Sequence, residues 1–230
     1  MTDLSLPTKN KMDIQDIQPV VEHPVQIKEP ISTVPDVPHE VVELPSKGYF
    51  YPEDSELSKG YVKMKYMTGR EEDILTNQTL IKKGVVFDEL FKSLILSAIR
   101  YEDLLIGDRN AIMVAARNLS YGPTYEIEVT TPSGNKQNVM VDLETLKPKP
   151  FDESKVTKGT NSFTFIAPNG KNVIEFKLLT IKDDREIDNR IEAMKKVGKS
   201  PNLTARLRQM ITSVDGNSDP GYIKQFVEDK

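Results

Sequence analysis

The apolar and polar positions of this chain change period several times. Through residue 43 there is no sustained period, because Pro7, Pro19, Pro24, Pro30, Pro35 and Pro38 interrupt it, with Pro45 just beyond. Proline fixes φ, removes a backbone donor and pushes the residue before it toward extended geometry. An extended or disordered arm is therefore predicted over 1–43, with short β-branched pieces such as Val20-Val21, Val25-Gln26-Ile27 and Val41-Val42 between the prolines. Such pieces can add a strand to a partner's open sheet edge, or remain a solvated tail. The segment Leu44-Pro45-Ser46-Lys47-Gly48-Tyr49-Phe50-Tyr51-Pro52 brackets a glycine and three aromatics with prolines, which predicts a fixed turn with anchors.

Alternation over Tyr61–Met67 predicts a strand. Thr68-Gly69-Arg70-Glu71 has the capping-box pattern, so a helix is expected to run from there to about Lys82 and stop at Gly84. Phe87, Leu90, Phe91, Leu94 and Ala98, widened by Ile95, Leu96 and Ile99, give a second helix central to the core. Asp108 is placed as the N-cap of a third, with Ile112, Ala115, Ala116 and Leu119 on one face and Gly122-Pro123 as the stop. Period two then returns in two hairpins, Tyr125–Val141 around Pro132-Ser133-Gly134-Asn135 and Phe163–Phe176 around Ala167-Pro168-Asn169-Gly170, joined by a polar connector from Lys147 to Gly159. Helices resume at Thr180, at Ser200-Pro201 (with Leu203, Leu207, Met210 and Ile211) and at Asp219-Pro220. The expected fold class is α+β: a helical body with two inserted β-hairpins and an extended N-terminal arm. Its expected divisions are 1–43 for the arm, 44–122 for the anchor turn and helical domain, 123–179 for the hairpins and 180–230 for the C-terminal helices.

Composition narrows the chemistry. The 230 residues include no cysteine and two histidines, so disulfides, thiolate catalysis and Cys-based metal sites are excluded. Both histidines, His23 and His39, fall in the predicted arm, which is no scaffold for a His-dependent triad. No run of about 18 apolar residues predicts a membrane span, and no basic-then-apolar start predicts a secretory signal. The formal charge is −4; residues 1–45 contribute −5 and the remainder +1.

Local motifs point to structure rather than catalysis. Ala193 to Ser200 ends in Gly198-Lys199-Ser200, but a helix precedes it and Pro201 removes a donor, which argues against a phosphate-binding loop. Residues 193–214 carry Lys195, Lys196, Lys199, Arg206 and Arg208 with no acid. No aromatic is interleaved for base stacking, so a solvated face or a dock for an acidic protein segment competes with nucleic-acid binding. The pairs Glu71-Glu72 and Asp183-Asp184 sit in first helical turns, where acids are favoured without catalysis, and adjacent acids on a helix face apart. Arg100, Arg109 and Arg117 flank the third helix as surface charges or as clamps on a carboxylate or carbonyl.

Three segments taken in order resemble the T4-type bacteriophage baseplate hub proteins. They are Leu44 to Gly48 with Tyr51-Pro52, then Met67-Thr68-Gly69-Arg70-Glu71-Glu72 with Ile74-Leu75, then Gly107-Asp108-Arg109 through Ala116-Arg117 to Ser120-Tyr121-Gly122 and Tyr125. A weaker likeness continues through Val141-Asp142-Leu143 and Leu178-Leu179-Thr180, so it covers about 44–190. The resemblance implies a non-enzymatic structural protein of a contractile tail baseplate hub, or a transient hub-assembly chaperone. It implies no cofactor, partners among other hub and tail proteins with self-association open, no membrane partner, and a place in the virion after assembly in the host cytoplasm; a nucleic-acid-binding accessory protein using the basic 193–214 segment stays as the less favoured alternative. On this resemblance the partner-binding residues are Leu44, Pro45, Lys47, Gly48, Tyr49, Phe50, Tyr51, Pro52, Arg70, Asp108, Arg109 and Arg117, with Tyr49, Phe50 and Tyr51 either packed on the body or plugging a neighbour. Similar proteins can carry a zinc-ribbon-like hairpin near Thr130-Thr131-Pro132-Ser133-Gly134; without cysteine no metal-bound version is expected here.

Overall fold

A computed structural model describes residues 37–168, 170–196 and 202–229. Val37–Lys230 forms one compact unit. Residues 1–36 of the arm expected over 1–43 and the segment 197–201, which includes Gly198-Lys199-Ser200, lie outside the described residues.

Strands β1 (His39–Glu43) and β2 (Tyr61–Lys65) form an antiparallel pair, His39 opposite Lys65 and Glu43 opposite Tyr61. Residues 39–43, expected in the arm, are thus a strand, because backbone pairing with β2 overrides the proline-rich composition. The anchor segment is the loop between these strands, closed where the Leu44 N–H donates to the Gly60 carbonyl at 2.8 Å.

The single helix expected from Thr68 to Lys82 is two, α1 (Gly69–Thr76) and α2 (Gln78–Lys83), because Asn77 leaves helical geometry and its side chain caps the second at the Thr79 and Leu80 N–H groups. Helix α3 (Val86–Leu94) ends earlier than its apolar period suggests. Ile95 bridges Met64, the Leu96 N–H donates to the Lys63 carbonyl and the Lys63 N–H to Ser97 Oγ, so residues 95–97 run extended beside β2. Helix α4 (Ile106–Tyr121) starts two residues before Asp108, which is consequently no cap but a first-turn residue whose carboxylate turns inward. Gly122, at φ 77°, stops the helix as expected.

The first hairpin is β3 (Thr124–Thr130) with β4 (Lys136–Asp142), and the second is β5 (Phe163–Ile166) with β6 (Val173–Phe176). The second gains a third strand: β7 (Ile211–Val214) pairs with β6, so Ile211 is strand rather than helix. Helix α5 (Ile181–Lys195) is capped by Thr180 as expected, in a capping box with Asp183, and α6 (Asn202–Met210) and α7 (Pro220–Asp229) complete an α+β fold.

The main core joins Leu44, Phe50 and Tyr51 of the anchor to Val62 and Met64 of β2, Leu90, Phe91 and Leu94 of α3, Ile112 and Ala116 of α4, and Ile181 of α5. Each is removed from water, worth on the order of 1.5–3 kcal/mol for a large apolar side chain. A smaller cluster, Ile187, Ile191 and Ala205, fastens α6 to α5.

Candidate functional site

The first turn of α4 holds a buried carboxylate to which the anchor is tied. Asp108 is 1% exposed. Its Oδ1 accepts from the Ser46 N–H at 2.9 Å, and its Oδ2 accepts from Ser46 Oγ and the Tyr51 hydroxyl, both at 2.6 Å. The chain of donors continues outward, since Ser46 Oγ accepts from the Gly48 N–H at 3.2 Å and the Tyr51 oxygen from the Leu105 N–H at 2.9 Å. The helix N-terminus adds a favourable field for the anion. Burial, followed by the Asp108 charge and its hydrogen bond, pushes the Tyr51 phenol far above its ordinary range, so it stays a donor.

To reach Asp108 the anchor makes a left-handed turn at Lys47 (φ 49°) and Gly48 (φ 77°). A Cβ on Gly48 would lie 2.3 Å from the Ser58 carbonyl oxygen and 2.7 Å from the Gly60 nitrogen, backbone atoms that cannot swing aside. Gly48→Ala is therefore expected to destabilise the body by about 2 kcal/mol or more, read as a lowered thermal midpoint; an unchanged midpoint would mean that the two strands of the loop do not cross this closely.

The outer side of the anchor is fastened to the 143–162 connector. Lys47 Nζ reaches Glu153 Oε1 at 2.6 Å and the Tyr49 hydroxyl reaches Oε2 at 2.7 Å; these hydrogen bonds hold the Glu153 carboxyl below its usual range. Phe151 packs edge-on to Tyr49 and against Phe50, which in turn meets Phe163. The connector is polar in composition, but Phe151 and Val156 pin it to the core.

The predicted contact residues thus divide. Leu44, Gly48, Phe50, Tyr51 and Asp108 are buried, whereas Pro45 and Tyr49 are half-buried and Lys47 and Pro52 exposed. Arg70 is exposed on α1. Arg109 is half-buried, 3.9 Å from Asp184. Arg117 clamps carbonyls, donating to Gly122 O at 2.8 Å and Thr124 O at 3.3 Å, with its guanidinium over the Tyr121 and Tyr125 rings. Arg100 is a surface charge beside Asp103.

Three further carboxylates tie elements together, and local sequence reading gives them only helix-terminal roles. Glu71 is fully buried and accepts from Lys65 Nζ, Ser93 Oγ, and the Thr68 N–H and hydroxyl. Burial pushes its pKa up, but the hydrogen bonds from Lys65, Ser93 and Thr68 outweigh it and hold the carboxyl at about 2. Asp88 on α3 takes the Tyr101 hydroxyl and the Arg185 guanidinium, bringing α5 against α3. Asp183 takes Lys177 and Gln209, joining α5 to α6. Their sequence neighbours do face outward: Glu72 accepts from the Tyr121 hydroxyl, and Asp184 pairs with Arg206 at 3.0 Å. Only the donor residues far away in sequence distinguish a knot from a cap. The basic segment is partly neutralised in the same way, with Arg206 on Asp184 and Arg208 3.9 Å from Glu228.

Apolar surface remains open in two places. The β3–β4 ribbon alternates cleanly, with Tyr125, Ile127 and Val129 beside Val141, Val139 and Gln137 on one face and Glu126 and Glu128 beside Met140 and Asn138 on the other. Its apolar face is largely open, with Tyr125 47% and Val129 40% exposed and Ile127 and Val141 half-buried. Adjoining it at Tyr125 is a groove of about 400 Å³ walled by α1, α3 and α4, with Met67 at one end. Among the described residues no cluster of His, Cys, Asp or Glu could hold a metal ion, and no helix is long and apolar enough to cross a membrane.

No curated protein and no solved structure matches the chain. The family model described as T4 bacteriophage base plate protein matches residues 39–216, more than three quarters of the sequence. That span runs from the first residue of β1 past the end of β7, taking in the anchor, the Asp108 knot, the groove and the ribbon. The chain belongs to the T4 bacteriophage base plate protein family.

Proposed function

We propose that this protein is a non-enzymatic component of the baseplate hub of a contractile phage tail and acts through protein–protein contacts. The observation that carries this reading is the largely open apolar face of the β3–β4 ribbon. A two-stranded ribbon is marginal by itself in water, and one that leaves its apolar face to solvent is suited to lie against a neighbouring subunit. The buried carboxylates support the same reading, because each is occupied with donors of its own chain rather than aimed at a substrate.

Within this reading Pro45, Lys47, Tyr49, Pro52, Arg70, Arg109 and Arg117 supply contacts, while Leu44, Gly48, Phe50, Tyr51 and Asp108 hold the anchor in shape for them. The partners are other hub and tail proteins, with self-association as a further use of the open ribbon. Assembly takes place in the host cytoplasm, and no cofactor takes part.

Mass spectrometry of purified tails and of unassembled baseplate complexes tests this. Stoichiometric presence in tails is the expected result and makes the protein a resident hub subunit. Presence only with unassembled hub proteins would make it an assembly chaperone instead, and absence from both would overturn the baseplate role.

A further inference from the structure

The groove beside the ribbon has a chemistry that specifies its occupant. Its walls are helical: α3 contributes Phe87, Leu90 and Phe91, and α4 contributes Met113, Arg117 and Tyr121 in one line at i, i+4 and i+8. The lining is apolar but for Arg117, and its rim is wet, with Phe87 44%, Met113 40% and Tyr121 52% exposed. Phe87 stacks on the buried Phe91, which holds one side of its ring in place and leaves the other to the groove.

Arg117 is the informative residue. Two of its five N–H groups go to the Gly122 and Thr124 carbonyls, and its guanidinium rests 5.1 Å from the Tyr121 ring centroid and 5.6 Å from that of Tyr125. Among the described residues no carboxylate pairs with it, unlike Arg109, Arg185, Arg206 and Arg208. Carbonyls and rings fix the guanidinium but leave its full charge in place. Covering the groove with purely apolar surface would strip water from that charge and leave it uncompensated, which is strongly unfavourable. A carboxylate arriving with the apolar surface removes that cost and meets a cation already held in position. Helical walls with ridges four residues apart suit a helix, and Met67 and Met113 can adapt to its side chains.

We propose that this groove receives an amphipathic helix of another baseplate protein, whose apolar stripe packs on Phe87, Met113 and Tyr121 and whose aspartate or glutamate pairs with Arg117. This rests on the baseplate role proposed above and adds the partner's chemistry to it.

The test uses the full chain with a photo-crosslinking amino acid at position 113, irradiated in purified tails and in unassembled baseplate complexes. The expected crosslink falls on a different baseplate protein, in a segment with apolar residues at helical spacing and an acid among them. Arg117→Glu is expected to cut incorporation at least about tenfold, and reversing the partner's acid to lysine to restore it. Because Arg117 also braces the α4–β3 junction, Met113→Glu is the second variant: position 113 is half open to solvent, so the melting temperature stays while incorporation falls. Crosslinks to a second copy of this chain, to its own residues 1–36 or to nothing would overturn the proposal, as would failure of the charge reversal to rescue. If the unaltered protein is missing from both tails and complexes, the baseplate role itself fails; if it is present but uncrosslinked, only the groove assignment fails.

Discussion

Asp108→Ala is expected to lower the unfolding free energy by about 4 kcal/mol, a large share of the 5–15 kcal/mol typical of a domain. Three donors converge on this carboxylate from a segment more than fifty residues away. Removing the acceptor leaves the Ser46 N–H, the Ser46 hydroxyl and the Tyr51 hydroxyl short of a partner in a site closed to water, at about 1–3 kcal/mol for each buried group left unsatisfied. Asp108→Asn keeps the volume and one acceptor oxygen but turns an NH2 toward the remaining donor, so it should recover only part of the loss. Tyr51→Phe removes one hydrogen bond to Asp108 and orphans the Leu105 N–H, for about 1–2 kcal/mol. The two sites share a bond, so the double variant should cost less than the sum of the singles. Urea unfolding of the four variants and the unaltered protein measures this. An Asp108→Ala loss under about 1 kcal/mol, or strict additivity with Tyr51→Phe, would show that the anchor is not held by this carboxylate.

The same residue illustrates what sequence can and cannot show. Read locally, Asp108 after Gly107 looks like an N-cap, because caps are decided by neighbours within three or four positions. Its actual partners, Ser46 and Tyr51, are 62 and 57 residues away, and no local rule reaches that far. Where the governing interaction is local, sequence reading succeeded: the capping box at Thr68, the cap at Thr180 and the stops at Gly84 and Gly122 each depend on a few adjacent residues. Where it is not, the helical period misled. Ile95, Leu96 and Ile99 extend the apolar stripe of α3, yet residues 95–97 lie extended because backbone bonds to β2 replace another helical turn. Ile211 was drawn into strand by the open edge of β6 in the same manner.

The motifs behind the family resemblance gain a physical reading from this contrast. The first and third are one unit, since Ser46 and Tyr51 come from the first and Asp108 from the third. The second is centred on Glu71, which joins β2, α1 and α3 through Lys65, Thr68 and Ser93. The anchor's aromatics, weighed from sequence between the body and a neighbour, pack on the body at Phe50 and Tyr51, while Tyr49 stays half open beside Glu153. The groove was not legible at all, since Phe87 and Phe91 read as ordinary helix-core positions and only the arrangement of α3 and α4 leaves Phe87 at a rim.

Acid is expected to loosen the body through Glu71. Its carboxyl is held at about 2 in the folded chain, against an ordinary value of 4.5 once Lys65, Ser93 and Thr68 are pulled away. The unfolded chain therefore takes up this proton first as pH falls. The stabilising contribution is complete above about pH 4.5 and is lost on the way down to about pH 2. A shift of that size in a fully buried group corresponds to roughly 3 kcal/mol. Asp183 acts in the same direction, because its bonds from Lys177 and Gln209 outweigh the effect of burial and lower its pKa. Glu71→Gln should accordingly be destabilised by roughly 3 kcal/mol at neutral pH and by much less near pH 2, where the native carboxyl is itself half protonated. Unfolding free energies of the two proteins, measured at intervals from pH 7 to pH 2, should converge as pH falls. Parallel curves would mean that the charge on Glu71 contributes nothing and that Lys65 and Ser93 bind a neutral side chain equally well. Convergence would show that the charge on Glu71 is what holds the β2–α1–α3 junction together.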